Sequence, residues 1–124
     1  MKLTTPERNR LPDERPGKTH NVTIAGTDIV INTGEYEDGR CGEVFIELKK
    51  QGDHMRVYDS VAIAISIALQ YGVPLDVFVQ KFKHQKLEPS GVTSNEKIPI
   101  ADSIVDYVAK WLELKYLGEG HDNK

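Results

Sequence analysis

The sequence predicts an α+β fold: an N-terminal antiparallel β-meander packed on a buried central helix, followed by two more helices. Three observations carry this expectation. Val22, Ile24, Ile29, Ile31, Val44, Ile46 and Leu48 alternate with polar residues, the period of strands with one buried face. Asp38-Gly39 lies between two such runs and is hairpin chemistry. From Val61 to Leu69 the only polar side chain is Ser66, so that helix is apolar on every face, a pattern normally surrounded by protein. In a chain of 124 residues one sheet covers one side of such a helix. More helices or a second subunit must cover the rest, so a homodimer or a multiple of dimers is expected.

Residues 1–18 read as an extended arm, because Pro6, Pro12 and Pro16 disfavour helix while Arg8, Arg10 and Arg15 supply charge. Residues 19–117 read as one domain and 118–124 as a flexible tail. A first strand through Val22 and Ile24 turns at Gly26-Thr27 into a second through Ile29 and Ile31. The third strand runs from Cys41 to Lys50, with Val44, Ile46 and Leu48 on one face and Glu43, Phe45, Glu47 and Lys49 on the other. Gln51-Gly52-Asp53 then breaks the sheet. Asp59 or Ser60 can cap the central helix, Gly72 suits the left-handed residue that ends it, and Pro74 blocks continuation. Pro74 also suits the first turn of the next helix, where Leu75, Phe78, Val79 and Phe82 follow helical spacing. The polar stretch Gln85 to Lys97 has no clear periodicity, and loops of that length are often functional. Pro99 opens the last helix, running to about Leu117. Ile100, Ile104, Val108, Trp111 and Leu112 form its stripe, and Asp102, Asp106, Lys110 and Glu113 face outward.

A net charge of −3 argues against a protein that coats long nucleic acid. One cysteine, Cys41, excludes an internal disulfide and a Cys-rich zinc cluster, and fits a reducing cytoplasm. No apolar signal segment opens the chain, and the central helix is too short for a membrane span. No catalytic constellation stands out. His20, His54, His84 and His121 do not pair at helical spacing with other ligand-type residues, so no metal is expected. No Walker-type loop or Gly-rich strand-to-helix turn is present, and no cofactor is implied.

The stronger signal is for binding. Phe82, His84, Gln85, Lys86, Glu88, Ser90, Thr93, Ser94 and Asn95 place rings, hydroxyls, an amide and a cation within one short stretch. That mix suits a nucleotide: a ring to stack, polar edges to read, a cation for phosphate. Arg56 stands just ahead of the central helix, near an N-terminus that favours anions. Each has a plainer alternative. Phe82 continues the core stripe from Phe78 and Val79, Lys86 can be solvated, and Arg56 can make a surface salt bridge.

Several stretches, taken in order, carry a family resemblance. They are Arg10-Leu-Pro-Asp-Glu-Arg15 with Thr19-His20, Gly34-Glu-Tyr-Glu-Asp-Gly-Arg40, Gly42-Glu-Val-Phe-Ile46, Ala68-Leu-Gln-Tyr-Gly-Val-Pro-Leu75, Glu88-Pro-Ser-Gly91 and Ser103-Ile-Val-Asp-Tyr107. Together they resemble the C-terminal domain of adenosylcobalamin-dependent (class II) ribonucleotide reductases, the domain named after a Thr-Ser-Cys-Pro-Asp motif. The resemblance covers roughly residues 10–117. It does not bring reductase chemistry with it, since a single cysteine cannot supply a reducing dithiol. A free-standing copy of this domain looks like a phage or prophage accessory protein. A looser likeness, in size and element order, is to the first family of phage Thoeris anti-defence proteins. Those sequester cyclic ADP-ribose-type signals, and some hold cyclic oligonucleotides. That likeness implies Phe82 stacking on adenine and the loop through Asn95 closing over the ligand.

The leading expectation is therefore a non-catalytic, cytoplasmic nucleotide-binding protein that sequesters cyclic nucleotide immune signals. Its expected ligand-binding residues are Phe82, His84, Lys86, Glu88, Ser90, Ser94, Asn95 and Arg56. The alternative is an accessory or regulatory module that binds ribonucleotide reductase subunits or their nucleotides. A nucleotide hydrolase is a third reading, weakened by the lack of an acid, base and metal set.

Overall fold

The computed structural model describes residues 5–49 and 56–118. His54, His121 and the Gln51-Gly52-Asp53 break lie outside the described residues. Strands β1 (Thr19–Ile24), β2 (Thr27–Glu35) and β3 (Cys41–Leu48) form an antiparallel sheet in the order β1-β2-β3. The first turn sits one residue earlier than the sequence suggests. Ala25 and Gly26 take it with φ of 49° and 81°, the double left-handed geometry of a tight hairpin. At the second turn Gly39 has φ of 91°, and Arg40 N donates to Asp38 Oδ1 at 3.0 Å. Val22 pairs with Ile29 and Ile31 with Ile46, so Val22, Ile29, Ile31, Val44, Ile46 and Leu48 are buried on one face. The other face carries polar pairs beside an exposed Phe45: Thr19 donates to Asn32 at 2.8 Å and Thr23 to Asp28 at 2.8 Å.

Helix α1 (Val57–Gln70) packs along β3. Ser66 Oγ accepts from Val44 N at 2.8 Å, which satisfies a free donor of that edge strand. The α1 expectation needs one correction. Arg56, not Asp59 or Ser60, takes the N-cap position and makes no side-chain cap; Asp59 lies in the first turn, where its charge still favours the helix end. Within a single chain the helix is covered on one side, as expected of one sheet. Tyr58, Ala62, Ile65, Leu69 and Gln70 are buried, while Ile63, Ile67 and Tyr71 are exposed. Gly72 ends it with φ of 99°, and Pro74 is the N-cap of helix α2 (Leu75–Phe82).

The last helix is shorter than expected. Ile100 and Ala101 form strand β5 (Ile100–Ala101), paired with β4 (Gly91–Val92), and helix α3 spans Ile104–Leu112. The start is set by Ser103, whose extended backbone brings Oγ to accept Asp106 N at 2.9 Å. Ile100 is thus exposed, not part of the stripe, and Asp106 is fully buried, not outward. Ile104, Tyr107, Trp111 and Leu112 fill the core, and a π-helical segment, Glu113–Leu117, continues the chain.

The described part of the arm is extended and bound to the domain. Asn9 N donates to Gln70 O at 2.8 Å, Glu35 N to Pro16 O at 2.9 Å and Thr33 N to Lys18 O at 2.9 Å. A Cβ at Gly17 would lie 1.9 Å from Thr33 O, so only glycine allows this approach. Among the described residues no helix is long and apolar enough to cross a membrane.

Candidate functional site

The densest polar cluster forms where the end of α2 meets the start of α3. His84 reverses the chain after α2 with φ of 69°, a left-handed conformation uncommon outside glycine. The bend aims His84 N at Asp106 Oδ1, 2.5 Å away. Asp102 N donates to Asp106 Oδ2 at 2.8 Å, and Lys110 Nζ stands 3.1 Å from the same oxygen. Asp106 occupies the first turn of α3, where a carboxylate is favoured by the unpaired N–H groups of the helix end. His84 Nδ1 lies 3.8 Å from Asp102 Oδ2.

His84, Asp102 and Asp106 bring ligand-type atoms within 4.8 Å of one another. The surroundings fit a structural bracket better than a metal centre. Both Asp106 oxygens accept backbone N–H groups, and the Lys110 ammonium stands where a cation would sit. Beside the bracket opens a groove of about 430 Å³, lined by Lys83, His84, Lys97, Pro99 and Lys110 among others. Lys83 Nζ donates to both carboxylate oxygens of Glu113, at 3.1 and 3.0 Å.

The expected ligand-binding residues do not converge on one spot. His84 is exposed on the groove. Phe82 is half-buried and stacks on Phe78 at 6.2 Å, facing an apolar crevice of about 10 Å³ with Val79 and Leu112. Lys86, Glu88 and Ser90 are exposed, and Ser90 Oγ donates to Glu88 Oε2 at 2.9 Å. Gln85 is exposed beside them. Ser94 and Asn95 are bound into the fold: Ser94 Oγ accepts Thr23 N at 2.9 Å, and Asn95 Nδ2 donates to Tyr107 Oη at 2.9 Å. Thr93 Oγ1 accepts Asn95 N at 3.1 Å and bonds the Ile98 carbonyl. Arg56 is exposed at the start of α1 and does not line the groove. Sequence reasoning missed Lys83, Lys97 and the central role of Asp106. The signal for the last was present, because Ser103-Ile-Val-Asp106 has capping-box spacing.

Other reactive groups are committed to the fold. Burial pushes the Cys41 thiol up to about 12, so it carries almost no thiolate near neutral pH. His20 stacks on Tyr107 at 5.9 Å and on Trp111 at 5.1 Å, and burial with nearby Lys115 lowers its pKa. Glu35 accepts from Tyr116 Oη at 2.6 Å and Lys18 Nζ at 3.1 Å, and these bonds, the tyrosine foremost, hold its carboxyl below the usual range.

Comparison with known proteins places the chain in a domain family. The TSCPD domain model matches residues 3–116. A vitamin B12-dependent ribonucleotide reductase of Rhodopirellula baltica is 49% identical over 118 residues, covering 94% of this chain and 11% of the relative. The corresponding protein of Agrobacterium fabrum is 47% identical over 118 residues, or 94% of this chain and 9% of the relative. That of Bradyrhizobium diazoefficiens is 44% identical over 113 residues, or 90% of this chain and 9% of the relative. The chain therefore spans about a tenth of the length of these curated relatives. No solved structure matches it. The match along almost the whole described chain, in the element order that builds the sheet, the bracket and the last helix, makes this chain a member of the TSCPD domain family.

Proposed function

We propose that the chain is a non-catalytic accessory module of a vitamin B12-dependent ribonucleotide reductase, acting by binding that enzyme and not by turning over substrate. The observation that supports this is the near-complete match to a domain that makes up only 9–11% of those three relatives. The chemistry of the polar clusters agrees. The single thiol is buried, and the His84–Asp106 and His20–Tyr107 clusters spend their polar atoms on holding elements together. The test is co-elution of the purified chain with the reductase large chain, alongside a reductase assay of the chain alone. Binding without intrinsic activity is expected. Turnover by the chain alone overturns the non-catalytic part of the reading.

A second reading draws on the groove beside His84. A groove of about 430 Å³ has the size of a small-molecule site, and three lysines line it. On this reading a cyclic nucleotide signal would be sequestered there with its phosphate near His84 and Lys97, Lys83 and Lys110 being paired with Glu113 and Asp106. Phe82 faces away from that groove, so base stacking there would need another partner. Thermal-shift measurement with cyclic nucleotides, with the recovered ligand checked by mass spectrometry, tests this reading. At 100 times its dissociation constant a ligand adds about 2.7 kcal/mol of stability. A shift that Lys97→Ala and His84→Ala abolish is expected, and no shift overturns it.

A further inference from the structure

The outer face of α1 is apolar and, among the described residues, uncovered. Val57, Ile63, Ile67 and Tyr71 are 54%, 58%, 42% and 43% exposed, and Ser60 and Ala64 between them are exposed as well. Positions 60, 63, 64, 67 and 71 recur at the spacing of a helix-packing seam. No charged residue occurs from Ser60 to Leu75, so two copies of this face would meet without like-charge repulsion.

We propose that this face pairs with the same face of a second copy of the chain, with the two α1 helices antiparallel about a two-fold axis. The order of large and small side chains supports this pairing. An axis crossing α1 between Ile65 and Ser66 sets Ile67 opposite Ala64 of the second copy, Tyr71 opposite Ser60 and Ile63 opposite Ala68. Ile63, Ile67 and Tyr71 each then meet a small side chain, which is how closely packed helices interdigitate, while Val57 lies at the edge of the seam, opposite Pro74. Antiparallel helices also align opposite ends of their dipoles. The four large side chains offer roughly 400 Å² per copy, against about 800 Å² per partner in a standard interface. The dimer is therefore concentration-dependent, not obligate. Self-pairing is independent of reductase binding, which involves a different partner.

The test is sedimentation equilibrium of the full chain over a wide concentration range. The mass should rise from 13.9 kDa towards twice that value. Ala64→Glu and Ile67→Lys, both at exposed positions, should each hold the chain as a folded monomer. Mixing the two variants should restore a heterodimer, because the carboxylate introduced at position 64 of one copy then faces the ammonium introduced at position 67 of the other. Ile63→Glu supplies an independent disruption if Ala64→Glu fails to fold. A wild-type monomer at every accessible concentration overturns the proposal. So does a dimer that Ile67→Lys and Ile63→Glu leave intact, or a mixture that stays monomeric. A monomer that uses this face only to bind the reductase chain also overturns it.

Discussion

Tyr107 Oη lies 2.7 Å from Nε2 of His20 and 2.9 Å from Nδ2 of Asn95, so one hydroxyl joins β1, the loop after β4 and α3. Asn95 donates to that oxygen, which leaves the tyrosine proton for His20. His20 is then a neutral acceptor at Nε2, with its own proton on Nδ1. Tyr107→Phe removes the donor to one group and the acceptor of another in a fully buried position. It should lower stability by about 1–3 kcal/mol, read by urea unfolding.

The same bond predicts a pH dependence. Burial and Lys115 lower the pKa of His20 in the folded chain, so the unfolded chain binds a proton first as pH falls. This contribution to stability is present above about pH 6.5 and is lost as pH drops below that towards the folded pKa. Glu35 acts further down: its lowered pKa gives stability above about pH 4.3 that is lost in more acid solution. Unfolding curves from pH 8 to 4 should show the first decline for wild type and a weaker one for His20→Asn.

Asp106 should be among the most sensitive positions. Asparagine offers one oxygen where two N–H groups and an ammonium now point, and it turns an NH₂ towards a donor. Asp106→Asn should cost about 3 kcal/mol in chemical denaturation. Lys110→Met leaves both N–H bonds in place and should cost less.

Legibility in the sequence followed from how local each signal was. The meander was readable because Asp38-Gly39 and the residues near Gly26 fix turns whose positive φ the structure shows. The buried faces of β2 and β3 followed from strict alternation. The start of α3 is hidden in the sequence because Pro99-Ile100 resembles a helix opening, while β4 and β5 are too short to show a period. The inward turn of Asp106 is not legible in sequence because its partners, the backbone N–H groups of His84 and Asp102, lie outside the helix, where helical spacing reveals nothing. The spread of Phe82, His84, Ser94 and Asn95 over different surroundings was equally hidden, since nearness in sequence does not decide which way a loop residue points.

Gln70 holds the arm. Its Nε2 donates to Gly42 O at 3.0 Å and its Oε1 accepts Arg8 Nε at 2.7 Å. Gln70→Ala removes both bonds, and Gly17→Ala pushes a methyl into Thr33 O. Either change should speed tryptic cleavage after Arg8 and Arg10 several-fold while the domain stays folded; Arg15, followed by Pro16, is not a tryptic site.

Cys41 should behave as a core thiol. With burial raising its pKa to about 12, alkylation at pH 8 should wait for local opening. Iodoacetamide labelling followed by mass spectrometry should show slow modification of the native chain and rapid modification in denaturant.

The central claim, an accessory module that acts by binding a vitamin B12-dependent ribonucleotide reductase, is tested most directly by calorimetric titration of the purified chain into the reductase large chain. Saturable binding is expected, and it should survive Lys97→Ala and His84→Ala, the variants that strip polar groups from the groove. No heat of binding, together with a large nucleotide-induced thermal shift of the chain alone, would contradict it and leave nucleotide sequestration as the function.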